Sequence, residues 1–151
     1  MYVGEACSKS VAVADRSTSV AAAARHMRDY HVGSVVIAEP DGESGEVRPL
    51  GIVTDRDLVM DVLAAGLPAD RVTLGDIMDE GLLTAEETDD LFETLERMRD
   101  SGIRRMPVID GAGQLSGILA VDDVLEHLIA ALGQIPQLIR REQQTEAVRR
   151  V

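Results

Sequence analysis

Residues 51–57, Gly-Ile-Val-Thr-Asp-Arg-Asp, hold the densest chemistry in the chain. They sit where an apolar run, Leu50–Val53, gives way to Asp55–Ala65, a segment with Leu58, Val62 and Leu63 at helical spacing. A helix start leaves backbone N–H groups without partners, and Thr54 with Asp57 three residues on is close to a capping box that satisfies two of them. An aspartate in the first turn also suits the helix dipole. The same residues offer a binding chemistry. A carboxylate beside a helix start, next to a glycine that admits close approach, can accept two hydrogen bonds from a ribose diol, while a threonine hydroxyl donates to a phosphate. The helix N-terminus favours anions, although Asp55 and Asp57 oppose that locally. Cap and ligand site are both open on these residues alone.

Other chemistries find less support. His26, His31 and His127 are separated, with no Glu or Cys at metal-ligand spacing, and read as packing or surface histidines. The single cysteine, Cys7, excludes an internal disulfide and a cysteine zinc cage, and reads as a buried structural thiol. Met27, Met98 and Met106 sit at core-like positions. Gly-Glu-Ser-Gly at 42–45 lacks the spacing of a nucleophile elbow, and the acids Glu86, Glu87, Asp89 and Asp90 gather at a helix start, where capping and solvation explain them. Acids exceed bases by 12 and aromatics make up 2% of the 151 residues, with no Trp, so neither phosphate-backbone binding nor base stacking is favoured. No apolar run approaches the ~20 residues of a membrane span and no charged-then-apolar leader opens the chain, so no membrane role and a cytoplasmic location are expected.

The elements that position these residues come from an internal repeat. At an offset of 71, Gly4-Glu5 falls on Gly75-Asp76, Val11–Asp15 on Leu82–Glu86, Met27-Arg28-Asp29 on Met98-Arg99-Asp100, and Val32 on Ile103. The offset becomes 66 at Gly51-Ile52 on Gly117-Ile118, Asp57 on Asp123 and Ala64-Ala65 on Ala130-Ala131; the difference sits in a Gly-, Pro- and acid-rich loop at 39–49. Each copy reads β-α-β-β-α. In the first, a short strand Val11–Val13 precedes a helix capped by Ser17 or Ser19, then strands Ser34–Ala38 and Leu50–Val53. In the second, Thr88 is the expected cap, followed by strands Met106–Ile109 and Leu115–Leu119 and a helix Asp122–Leu132. One unit leaves a half-covered three-stranded sheet, so the two are expected to pack face to face. The units are 1–66 and 75–132, joined by 67–74. The tail, 133–151, carries four arginines against two glutamates, whereas eleven bases meet twenty-five acids in residues 1–132. Pro136 is expected in the first turn of a separate short helix there.

Taken together, the tandem repeat, Gly51-Ile-Val-Thr54-Asp-Arg-Asp57 and the strand start Ile103-Arg-Arg-Met-Pro107-Val resemble the CBS domain family, over about 130 residues. The resemblance implies an α/β fold of two pseudo-symmetric repeats packed through their sheets, and a non-catalytic regulatory module. It implies reversible binding of AMP, ADP or ATP between the repeats and a homodimer of four repeats. By position, Thr54 and Asp57 would hold phosphate and ribose, Arg104 and Arg105 phosphate, and Val13, Ala14 and Ile103 the base. The arginines also have carboxylates nearby to pair with, such as Asp100 or Asp110, and as neighbours in a strand they point to opposite faces. Arg105 is the favoured ligand. The reciprocal motif, Gly117-Ile-Leu-Ala120-Val-Asp-Asp123, keeps Asp123 but has lost the hydroxyl, and faces Gly33 and Ser34 in place of arginines. A weak or empty second site near Asp123 is therefore expected. Two further readings remain: a module for protein interaction without a nucleotide, in which Thr54 and Asp57 only cap a helix, and a tail that docks on a partner subunit or an effector protein.

Overall fold

The computed structural model describes residues 1–150. Its first half contains β1 (Val13–Ala14), α2 (Val20–Tyr30), β2 (Ser34–Pro40), β3 (Val47–Thr54) and α3 (Asp55–Asp57), which runs on as a π-helical turn, Leu58–Leu63. Its second contains β4 (Ala85–Glu86), α5 (Leu91–Ser101), β5 (Arg105–Ile109), β6 (Leu115–Ala120) and α6 (Val121–Arg149). Short helices α1 (Val3–Ala6) and α4 (Leu74–Ile77) precede the two halves. Each sheet has three strands, ordered β1-β2-β3 and β4-β5-β6, with the first pair parallel and the second antiparallel. Both antiparallel pairs shift register at the same place, between Ile37 and Ala38 and between Val108 and Ile109.

Helix α2 starts at Ser19, whose hydroxyl accepts from the Ala22 N–H at 3.1 Å. The cap of α5 is Asp90, 71 residues on from Ser19, accepting from the Phe92 and Glu93 N–H groups at 2.9 and 3.1 Å. Thr88 is not the cap, because it matches Ser17, two residues too early; Ser17 instead donates to Asp15. Within each sheet the alternation of side chains divides the burial. Val35, Ile37 and Val53 pack on α2 and the π-helical turn, while Met106, Val108 and Leu119 pack on α5 and α6. Val36 and Pro107, also buried, point the other way, where β3 meets β6 and the two sheets face each other.

The cores do not follow the sequence repeat. Val3 and Ala6 of α1 belong to the core of the second half, and Leu74 of α4 to that of the first. Backbone bonds fix both exchanges in the same way: Val3 N–H donates to Asp89 O and Gly4 N–H to Glu87 O, each at 2.9 Å, and 71 residues on Leu74 donates to Thr18 O and Gly75 to Arg16 O, each at 2.9 Å. Each half is thus completed by the segment that precedes the other, which holds the pair in register.

The tail differs from expectation. It is no separate helix begun by Pro136; α6 is continuous for 29 residues, with Pro136 inside it. The proline removes one N–H, but the carbonyl it orphans, four residues back at Leu132, lies on an exposed stretch where water can serve it. Among the described residues no helix is long and apolar enough to cross a membrane.

Candidate functional site

Thr54 takes the extended conformation of a helix cap, with φ −102° and ψ 163°. Its Oγ1 accepts from the Asp57 N–H at 3.2 Å, and Asp57 Oδ2 accepts from the Thr54 N–H at 2.8 Å, so the capping box is closed. A hydroxyl that accepts one bond still has its own proton to give, and a carboxylate that uses one oxygen still has the other. Both leftover groups stand at the rim of a cleft. Asp55 N–H donates to Gly33 O at 3.0 Å and ties this helix start to the beginning of β2.

The opposite wall is supplied by the second half. A cavity of about 420 Å³ is lined by Thr54, Asp55, Arg56 and Asp57 from one side and by Ile103, Arg104 and Arg105 from the other. Ile52 and Asp79 floor it and continue into an adjoining hollow of about 190 Å³, walled by Gly81, Leu82, Leu83 and Ser101. Five of the residues singled out in the sequence, Thr54, Asp57, Ile103, Arg104 and Arg105, therefore meet in one place. Three aspartates and three arginines balance there, in a chain of net charge −12. That makes the cleft a local exception to an acidic surface.

The two arginines diverge: Arg104 lies in the bend just before β5, and Arg105 is the first residue of the strand. Arg104 lies in the open, 3.5 Å from Asp122. Arg105 crosses to the first half, where its guanidinium covers Gly33: a Cβ on that glycine would stand 3.0 Å from Nη2. Among the described residues Arg105 has no ion-pair partner.

Val13 and Ala14 do not line this cleft. Val13 borders a separate hollow of about 400 Å³ with Val11, His26, Tyr30 and Val32, and Ala14 packs on the core of the first half. Their place beside Ile103 is taken by Gly81, Leu82 and Leu83. The repeat explains the exchange: Ser10–Ala12 and Gly81–Leu83 are 71 residues apart, as are Val32 and Ile103, so each hollow draws its strand approach and its β-strand start from a single half. The signal in the sequence is the offset of 71 applied to Ser10–Ala12, the approach to β1, which gives 81–83.

Near the reciprocal motif, Asp123 is half-buried, and α6 starts without a side-chain cap, since Ala120 has no hydroxyl to accept from the first turn. Ser34 is buried and Gly33 lies under Arg105. Cys7 is half-buried, and burial pushes its thiol above the usual range, the reverse of an activated nucleophile. Among the described residues no group of three or more His, Cys, Asp or Glu is placed to hold a metal ion.

Comparison with known proteins supplies a family. The CBS domain model matches twice, at residues 3–64 and 74–130. An uncharacterized protein of Methanopyrus kandleri is 36% identical over 133 residues, covering 86% of this chain and 65% of its own. The chain thus spans just under two thirds of that relative. A conserved protein from Pyrococcus horikoshii has a similar structure, with a TM-score of 0.74 at 30% identity, covering 83% of this chain and 90% of its own. A CBS domain protein of Pyrobaculum aerophilum, solved in complex with AMP, superposes with a TM-score of 0.71 at 24% identity, covering 82% of this chain and 89% of its own.

Proposed function

Because the chain belongs to the CBS domain family and carries two of its domains, we propose that it is a non-catalytic regulatory sensor that binds an adenosine nucleotide, AMP, ADP or ATP, in the cleft between them. One observation carries the reading: the uncommitted oxygen of Asp57 and hydroxyl proton of Thr54 face, across about 420 Å³, the Arg105 guanidinium, which forms no ion pair among the described residues. The volume is of the order that small-molecule sites use, ~300–1,000 Å³. In this reading Asp57 accepts from the ribose hydroxyls, Thr54 and Arg105 donate to phosphate, and the adenine enters the hollow between Leu82 and Ile103. Arg104 leaves its exposed pairing with Asp122, which is worth little, and adds a second fork of donors. The fold holds AMP in the Pyrobaculum aerophilum protein. Occupancy then bridges the two halves of one chain, within a homodimer, and an effector protein reads the change. The site near Asp123, with no hydroxyl at Ala120 and no arginine at Gly33 or Ser34, is the weaker one.

Calorimetric titration with AMP, ADP, ATP and adenosine, on the natural chain and on Arg105→Ala, tests this. The expected result is binding of at least one nucleotide, weakened about tenfold or more by Arg105→Ala, with adenosine unaffected; a charge-assisted hydrogen bond is worth ~1.5–3 kcal/mol. Flat titrations with all three nucleotides overturn the proposal and leave Thr54 and Asp57 as a helix cap.

A further inference from the structure

Gly33 sits in a bend between α2 and β2, at a place where the backbone has no need of glycine. Its φ is not positive. The equivalent position 71 residues on, in the bend before β5, holds Arg104. Where a side chain is sterically allowed, glycine only adds entropy to the unfolded chain, so here it costs stability. The space that a side chain would take is filled from the other half. A Cβ on Gly33 would stand 3.0 Å from Nη2 and 3.6 Å from Cζ of Arg105, and 3.5 Å from Oδ2 of Asp55.

The guanidinium is held there by fit. Arg105 is half-buried, and among the described residues it makes no ion pair. Asp55, the carboxylate beside it, accepts from the Arg56 N–H at 2.8 Å. A long side chain without a partner has many rotamers open to it. The bare Cα of Gly33 offers it one place, against the backbone of the first half at the edge of the cleft. Place matters to a guanidinium, whose donors form a rigid fork and whose charge-assisted bonds close at ~2.7–2.9 Å. Moved by the width of a methyl group, it no longer meets the same oxygen.

The same glycine bears on the reciprocal cleft. An arginine at 33, the residue type found at 104, would set its Cβ against the Arg105 guanidinium. The first cleft keeps Arg105 in this place only while position 33 carries no side chain, and position 33 is where the second cleft would carry its own basic residue. The loss in one cleft and the seat in the other are one feature.

We infer that Gly33 is a positioning residue, which seats the Arg105 guanidinium for phosphate and so sets the preference of the cleft for a phosphorylated nucleoside over a bare one. The phosphate role rests on the nucleotide reading above; the seat does not, and the test separates them. Phenylglyoxal labelling of the full chain without nucleotide, with each modified arginine assigned by tandem mass spectrometry, reads the seat. Labelling of Arg105 should quicken about threefold or more in Gly33→Val, as its head group goes from half-buried to exposed, while Arg104 labels as before. Gly33→Ala, which makes the guanidinium give by a few tenths of an ångström, should show a smaller rise in the same direction and carries the comparison if the valine variant unfolds. An unchanged rate at Arg105 overturns the seat.

Calorimetry with AMP, ADP, ATP and adenosine reads the phosphate role. A nucleotide that binds the natural chain should bind Gly33→Val about tenfold more weakly, with adenosine changed less than about twofold. Added to Arg105→Ala, Gly33→Val should cost less than about twofold more, since the group it displaces is already gone. Equal losses of nucleotide and adenosine, or a full further loss in the double variant, overturn the positioning role. Flat titrations of the natural chain with all three nucleotides overturn the phosphate role together with the nucleotide reading, and the labelling still decides the seat.

Discussion

Thr54 and Ala120 hold the same position 66 residues apart, and the helices they introduce begin differently. Both are extended, at φ −102° and ψ 163° and at φ −112° and ψ 145°, and both are followed three residues on by aspartate. Only the first closes a capping box. Across from the first stand Arg104 and Arg105; at the equivalent positions across from the second are Gly33 and Ser34. The backbone scaffold of a site has thus been kept in both halves while the donors have been kept in one. Similar geometry with different side chains separates what the fold supplies, a helix start facing a strand start, from what the chemistry requires, a hydroxyl, a free carboxylate oxygen and a guanidinium.

The sharpest way to break that contrast is to remove each aspartate in turn. Asp57→Ala should weaken nucleotide binding by about 10- to 100-fold, as the loss of one or two charge-assisted bonds implies, whereas Asp123→Ala should change it less than about twofold. Calorimetry on the two variants side by side decides the matter. Equal losses mean that the halves share the ligand, and no loss in Asp57→Ala removes the ribose role.

The two junctions between halves invite a second comparison. Gly117 faces the chain that leads out of α1, and a Cβ there would stand 2.7 Å from Ser8 O and 2.9 Å from Cys7 Sγ. Gly51, its counterpart, would place a Cβ 3.2 Å from the Sδ of Met78, a flexible thioether. A backbone oxygen hydrogen-bonded to the Ile118 N–H cannot give way as a methionine can. Gly117→Ala should cost about 1–3 kcal/mol and Gly51→Ala less than about 1 kcal/mol, measured by urea unfolding. A smaller and opposite effect awaits at the uncapped helix. Ala120→Thr restores the hydroxyl opposite Asp123 and should stabilise by about 1 kcal/mol, with Thr54→Ala losing about as much. A raised thermal midpoint in Ala120→Thr is the expected outcome, and an unchanged one shows that Asp123 is not free to complete the box.

Much of this was legible in the sequence, for identifiable reasons. Ser34–Ala38 and Met106–Ile109 are rich in β-branched and apolar residues and lie within the strands Ser34–Pro40 and Arg105–Ile109, and the offset of 71 pairs them. The same offset pairs Ser17 with Thr88 and Ser19 with Asp90, so it carries the cap of one helix to the other but does not choose between the two pairs. Thr73 and Asp76 have the spacing of Thr54 and Asp57 and close the same box, so α4 announces itself by its cap although four residues are too few for periodicity. What could not be read is long-range. Nothing local in Val3–Ala6 says that it joins the core of the distant half, and nothing in Leu58–Leu63 distinguishes a π-helical turn from an α-helical one. Pro136 looked like a start because prolines favour first turns, and an exposed helix tolerates it because its orphaned carbonyl reaches water.

Acid should separate the junctions by a smaller margin. Glu87 accepts from Lys9 and from Ser116, and these bonds, that from Lys9 foremost, hold its carboxyl below the usual range. They pin the segment after α1 to the second half. At the other junction the equivalent positions are Glu80, Arg16 and Leu50, and among the described residues no ion pair forms between them. A carboxyl whose folded pKa is depressed contributes stability above its unfolded pKa, and the contribution is lost as pH falls through the folded one. The thermal midpoint should therefore decline as pH drops from the ordinary carboxylate range, near about pH 4, downward. Because the pair is exposed, the loss should be small, and smaller still in molar salt. Glu87→Gln should flatten the part of that decline that belongs to this junction, and hydrogen exchange at low pH should quicken at the amides of Val3 and Gly4 before those of Leu74 and Gly75. Exchange that quickens equally at both pairs would assign the acid sensitivity to the fold at large, Asp41 and Asp76 included, whose carboxyls are also lowered by hydrogen bonds, from Gln114 and from the Thr73 N–H.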